Sequence, residues 1–111
     1  MKQTEILLTI KLHQKLFIDP KRVRLLKEIK ECGSINQAAK NAKVSYKSAW
    51  DHLEAMNKIS PKPLLERNIG GKNGGGTSLT TYAERLLQLY DLLEQTQEHA
   101  CLLYTSDAAD D

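Results

Sequence analysis

The 111-residue chain has little of what stabilises small proteins other than a core. Its two cysteines, Cys32 and Cys101, show neither metal-ligand spacing nor a disulfide-dense context. No disulfide framework or structural zinc is therefore expected, and Cys32 reads as a small buried apolar residue. Aromatics make up 5% of the chain, so the core of what reads as one small domain must be built from Leu, Ile, Val and Ala. No apolar run approaches the roughly 18 residues of a membrane span. The start lacks the long apolar stretch of a signal peptide, and a cytoplasmic protein with no membrane partner is expected. His13, His52 and His99 lie far apart without metal spacing and read as surface or partly packed residues. No serine, cysteine or acid pair has a supporting base, so no catalytic residue and no enzyme is expected.

What the chain does have is unevenly placed charge. Residues 101–111 resemble the translated sequence of a common transposase-type sequencing adapter over all eleven positions. They are expected to be a non-native tail and are set aside from fold reasoning. Without them, sixteen Lys and Arg face eleven Asp and Glu, a balance of +5. Residues 1–80 hold fifteen basic and seven acidic side chains, or +8; residues 81–100 hold Arg85 against four acids, or −3. A cationic body suits phosphates, and a mildly acidic last helix suits a partner.

Along residues 5–12, Ile6, Leu8, Ile10 and Leu12 recur at period two, which predicts a half-buried strand. Asp19-Pro20 is an N-cap followed by a first-turn proline. Val23, Leu26 and Ile29 with Leu25 form a helical stripe ending before Gly33, an expected left-handed cap. Ser34 with Gln37 gives a capping-box pattern for a short helix with an Ile35, Ala38, Ala39, Ala42 face. Residues 41–44 make a turn with Val44 as buried plug, and Ser45 caps a third helix reaching about Ile59, buried through Ala49, Trp50, Leu53 and Met56. Prolines 61 and 63 end it. Strands at 64–69 and 77–80 flank the glycine-rich turn 70–76, making a wing. Thr81 with Glu84 forms a second capping box, and a helix runs from about Tyr82 to Ala100. In that helix Tyr82, Leu86, Leu89, Leu93 and Thr96 trace a short coiled-coil seam, the expected dimer interface. The expected fold is mainly α with a small β-sheet, in the order β-α-α-α-β-wing-β-α. It is a winged helix-turn-helix over residues 1–80 with a dimerisation helix over 81–100.

In such a fold the second helix of the pair enters the DNA major groove with its N-terminal residues nearest the bases. Those are Ser45, Tyr46, Lys47, Ser48 and Asp51. Lys47 and Ser48 suit bases or phosphates, Tyr46 suits backbone or a thymine methyl, and Ser45 is mostly a cap. Asp51 either accepts from a cytosine amino group or pairs with Lys47 one turn away. Ser34 and Gln37 open the helix that crosses the backbone, where cap and phosphate roles are equally open. Arg67, Lys72 and Asn73 belong to the wing, whose glycines allow close approach to the duplex. The glycine run is no nucleotide cradle, because Lys72 is followed by Asn73 rather than Ser or Thr and no helix begins there. The alternative is a winged-helix interaction or assembly module without base readout; the polar Ser45–Asp51 face argues against it.

The run Gly33-Ser34-Ile35-x-Gln37-Ala38-Ala39-Lys40, the heptapeptide Ser45-Tyr46-Lys47-Ser48-Ala49-Trp50-Asp51, the pair Met56-Asn57 and the wing Gly70-Gly71-Lys72-x-Gly74-Gly75-Gly76 together resemble the N-terminal domain of the ModE family. These are molybdate-responsive transcriptional regulators, a branch of the LysR-like winged helices. Leu64-x-Glu66-Arg67, Leu79-Thr80 and Leu86-x-x-Leu89-Tyr90-Asp91-Leu92-Leu93 agree, so the resemblance covers residues 4–100. It implies a bacterial homodimer bound to double-stranded DNA at a palindromic operator near molybdate-transport or molybdoenzyme genes. It also implies that molybdate binds a separate C-terminal domain, so no cofactor is expected in this chain. Departure from the family pattern at the adapter-like tail makes truncation the expectation there.

Overall fold

The computed structural model describes the backbone of residues 8–68 and 76–110, and the side chains of 8–67 and 76–96. Eight elements follow in order: β1 (Ile10–Leu12), β2 (Lys15–Ile18), α1 (Pro20–Cys32), α2 (Ile35–Asn41), α3 (Tyr46–Ile59), β3 (Leu65–Asn68), β4 (Gly76–Leu79) and α4 (Thr81–Asp110). This is a winged helix-turn-helix: three helices, a hairpin at each flank, and a long final helix.

The helix starts and stops follow their caps. The Asp19 carboxylate accepts the Arg22 N–H at 2.8 Å, Pro20 begins α1, and Gly33 ends it at φ 68°, donating its N–H to the Ile29 carbonyl at 2.8 Å. Ser34 and Ser45 hydroxyls accept the Gln37 and Ser48 N–H groups at 3.2 and 3.0 Å. The Ser34 capping box is only half closed. Gln37 Nε2 turns away and donates to Asn41 Oδ1 at 3.1 Å. The cap of α4 is Thr80, not Thr81: its hydroxyl accepts the Ala83 N–H at 3.1 Å and donates to the Pro63 carbonyl at 2.7 Å. The second contact ties the cap to the loop before the wing, a constraint local spacing does not contain.

The expected single strand over 5–12 is a hairpin instead. Residues 5–7 and Ile6 lie outside the described residues; β1 is Ile10–Leu12, and β2 pairs with it antiparallel, Lys11 opposite Leu16 and Leu12 opposite Lys15. The connection is His13 and Gln14, both at positive φ (52° and 66°). Two left-handed residues are what a type I′ hairpin turn needs, normally from Asn-Gly. Two residues without that signature made β2 invisible in the sequence.

The core joins Phe17 and Ile18 of β2, Leu25, Leu26 and Ile29 of α1, Ala38 and Ala39 of α2, Leu53 and Met56 of α3, and Leu64 and Leu79 at the base of the wing. Val44 and Trp50 are only half-buried, packed against its edge. Cys32 is exposed rather than buried, because it ends α1 past the core, where Asn41 Nδ2 reaches its Sγ at 3.2 Å. The backbone of α4 runs ten residues beyond the expected end at Ala100, consistent with a stretch free of glycine and proline. Its inner stripe is Ala83, Leu87 and Tyr90, all buried. Among the described residues no helix is long and apolar enough to cross a membrane.

Two outcomes test this frame. Replacing His13-Gln14 by Asn-Gly should stabilise the protein by about 1 kcal/mol, read from the urea midpoint, because it removes left-handed strain from two ordinary residues. Tyr90 donates its hydroxyl to the Leu8 carbonyl at 2.7 Å, and burial followed by the nearby Glu94 pushes its phenol up to about 12. The folded state thus holds that proton more tightly than the unfolded chain. The stability this lends is present below pH 10 and is lost as pH climbs toward 12. Tyr90→Phe should cost about 1 kcal/mol at pH 7 and flatten the decline above pH 10 in denaturation curves.

Candidate nucleic-acid interface

The helix-turn-helix is α2, a tight turn and α3. Lys43 takes the left-handed turn position at φ 61°, and the Val44 N–H closes the turn onto the Ala39 carbonyl at 3.0 Å. Asn41 locks the turn against α1: its Nδ2 donates to Glu28 Oε1 at 3.0 Å, and its carbonyl accepts from Arg24 Nη2 at 3.1 Å.

With Ala49, Leu53 and Met56 facing inward, helical geometry turns residues 47 and 51 outward. The Lys47 side chain is 87% exposed, and its Nζ lies 3.5 Å from Asp51 Oδ2. The pair is therefore a weak surface contact that Lys47 can leave for a phosphate or base. Tyr46 is 52% exposed and meets Trp50 edge-on at 6.2 Å and 79°, which orients its ring at the start of α3. Ser48 is half-buried and Ser45 exposed, with the Ser45 hydroxyl engaged as cap. Ser34 is half-buried and Gln37 exposed at the start of α2.

The wing grows from the same core. β3 and β4 pair in register from Leu65–Leu79 to Asn68–Gly76, with exposed Arg67 opposite Thr77. The wing is fixed at two points: the Thr77 N–H of its stem donates to the Gly33 carbonyl at 3.0 Å, and the Leu64 N–H at its base donates to Asn57 Oδ1 of α3 at 2.9 Å. Lys72, Asn73 and the glycine tip lie outside the described residues. The described residues of the expected interface lie on the first turn of α3, the start of α2 and the stem of the wing.

Sequence reasoning missed the residues that hold this arrangement. Arg22 is the buried charged side chain among the described residues. Its Nη1 donates to the Leu16 and Phe17 carbonyls at 2.8 and 3.3 Å, and its Nε donates to His52 Nδ1 at 3.1 Å. Burial lowers the Arg22 pKa below the ordinary arginine value, with Asp19 opposing; arginine remains protonated regardless. Burial and then the Arg22 charge hold His52 below its ordinary value, so the ring is neutral near pH 7 and can accept. The available signal was Arg22 at i−4 and i−7 to Leu26 and Ile29, a charge on an apolar stripe.

On α4, Tyr82 and Leu86 of the expected seam are half-buried against their own core, whereas Leu89 and Leu93 are exposed together with Leu92. The seam lies about a quarter turn around the helix from the inner stripe.

No cluster of metal-ligating side chains occurs among the described residues, and Nε and Nη1 of the buried Arg22 are already committed. The groove beside α3 is lined by Asp51 and Glu54 together with Lys58 and Lys62.

Residues 20–84, from the start of α1 to the first turn of α4, match the family model of the bacterial regulatory helix-turn-helix proteins of the lysR family. Over 100 residues the chain is 91% identical to the transcriptional regulator ModE of Haemophilus influenzae, covering 90% of this chain and 39% of that protein. It is 57% identical over 107 residues to the DNA-binding transcriptional dual regulator ModE of Escherichia coli K12, covering 96% and 41%. It is 51% identical over 73 residues to the molybdenum transport protein ModE of Azotobacter vinelandii, covering 66% and 27%. The chain spans about two-fifths of the length of the first two of these curated relatives. Helix-turn-helix geometry, wing and identity agree: the chain belongs to the lysR-type bacterial regulatory helix-turn-helix family, as a ModE-family DNA-binding domain.

Proposed function

We propose that this chain is the DNA-binding part of a cytoplasmic transcriptional regulator that acts as a homodimer on a palindromic operator of molybdate-transport or molybdoenzyme genes. The observation that carries the reading is the outward first turn of α3, with Tyr46 oriented by Trp50 and Lys47 free to extend, on a helix-turn-helix whose wing is anchored to the same core. The names of the relatives support the regulatory and molybdenum parts.

In this reading Lys47 and Ser48 read bases or phosphates, and Tyr46 lies along the backbone or a thymine methyl. Asp51 tunes Lys47 or accepts from a cytosine. Ser45 is mainly a cap, while Ser34 and Gln37 present the start of α2 to the phosphates. Arg67, Lys72 and Asn73 carry the wing to the flanking groove. Leu89 and Leu93 with Tyr82, Leu86 and Thr96 form the dimer seam. Molybdate is sensed by a part of the regulator outside this chain, and no catalytic step is assigned to the chain.

The test is fluorescence anisotropy of the chain against duplex pools, titrated with salt. Saturable binding that selects a palindrome is expected; weak, sequence-blind binding would favour an interaction module instead. Lys47→Ala should weaken binding to all sequences and reduce the salt slope by about one phosphate. Ser48→Ala should mainly shift base preference. If both variants behave as wild type, α3 is not the reading helix. Leu89→Asp should give monomers in sedimentation and weaken binding to a full palindrome far more than to a half-site. An intact dimer in that variant would move the interface off this face.

A further inference from the structure

The recognition helix is held to the body through a hydrogen bond only one protonation state allows. Arg22 cannot withdraw: it is buried, and Nη1 is anchored on two carbonyls at the end of β2. Its Nε–H therefore has a fixed direction, and His52 Nδ1 meets it at 3.1 Å. Only a neutral imidazole with its proton on Nε2 can accept there. His52 follows Asp51 in α3, the helix whose first turn carries Tyr46, Lys47 and Ser48.

We propose that Arg22 and His52 form a latch that positions the recognition helix, and that proton uptake by His52 opens it and weakens DNA binding. The proposal rests on the DNA-binding reading above and adds regulation to it. Protonation sets a ring N–H against a guanidinium N–H and two cations face to face. With Arg22 anchored, the strain falls on α3. The other charged groups facing the ring are Asp19 at the cap of α1, Lys21 in its first turn and Asp51 on α3 itself. The two carboxylates favour the proton, but Asp19 already takes the backbone N–H of Arg22 and Asp51 has the smallest influence of these groups, while Lys21 adds to the repulsion. The balance keeps the ring neutral near pH 7, with proton uptake below the ordinary 6.5.

The predicted sign is opposite to ordinary electrostatics. A histidine gaining charge near DNA strengthens binding to phosphates. An opening latch weakens it, by at most tenfold per pH unit below the folded pKa.

The test uses the whole 111-residue chain and a duplex carrying the site selected at pH 7.5. Anisotropy is followed from pH 7.5 to 5.5 at fixed ionic strength, with circular dichroism in the same buffers. Wild type should lose affinity progressively toward pH 5.5, by at most about tenfold, while staying folded. His52→Asn, whose Oδ1 stands on Cγ as Nδ1 does and accepts from Arg22 without titrating, should bind at pH 7.5 within about twofold of wild type and keep a flat profile. His52→Gln serves where His52→Asn fails to fold. Matching profiles for wild type and variant, wild-type affinity that rises as pH falls, or loss that tracks global unfolding would each overturn the latch while leaving DNA binding intact. Absence of saturable binding at pH 7.5 in wild type would sink the DNA-binding reading, and the proposal with it.

Discussion

A buried guanidinium organises this domain. A charge taken out of water has to be met by oriented acceptors, or the fold loses several kcal/mol. Arg22 obtains them from three places at once: the Leu16 and Phe17 carbonyls, the Asp19 charge at its own helix cap, and the His52 ring. This requirement explains β2. A two-residue turn through left-handed His13 and Gln14 brings the chain back so that β2 ends beside α1 with two carbonyls facing inward. The hairpin is therefore more than an edge decoration, since it completes the coordination of a cation that also reaches α3.

The wing depends on backbone rather than side-chain chemistry. Gly33 serves two ends: its left-handed φ stops α1, and its carbonyl receives the Thr77 N–H of β4. Asn57, two residues before α3 ends, accepts from Leu64 just ahead of β3. Thr80 caps α4 while donating to Pro63. Three short contacts thus set the wing, α3 and the final helix relative to one another. Each uses a residue whose local reading, as turn, helix surface or strand end, is ordinary.

That division explains what could be read from the chain alone. Asp19-Pro20, Gly33, Ser34 and Ser45 mark helix ends because capping is a local interaction, and the apolar stripes of α1 and α3 follow from period. The polar first turn of α3 was legible for the same reason. β2 was not, because its turn lacks the glycine that announces left-handed backbone. The Arg22–His52 contact spans thirty residues, and Tyr90 to Leu8 spans eighty-two; no window on the sequence joins them. The Gln37 capping box went astray because Asn41 drew the Gln37 side chain to itself, and Cys32 because it ends α1 past the core.

The final helix shows how one element serves two surfaces. Ala83, Leu87 and Tyr90 face the body, and Leu89, Leu92 and Leu93 face away. Two ion pairs, Lys27–Asp91 at 3.0 Å and Lys30–Glu84 at 3.9 Å, also join α4 to α1, but all four side chains are exposed by roughly half. Such pairs contribute little and are screened by salt. The orientation of α4 must therefore come from the apolar stripe, the Tyr90 hydroxyl and the Thr80 contact with Pro63, none of which salt weakens. Salt acts instead on the exposed cations of α3 and the wing stem. The contacts that would set the spacing of two half-sites and those that would grip the phosphates thus respond to different physical variables.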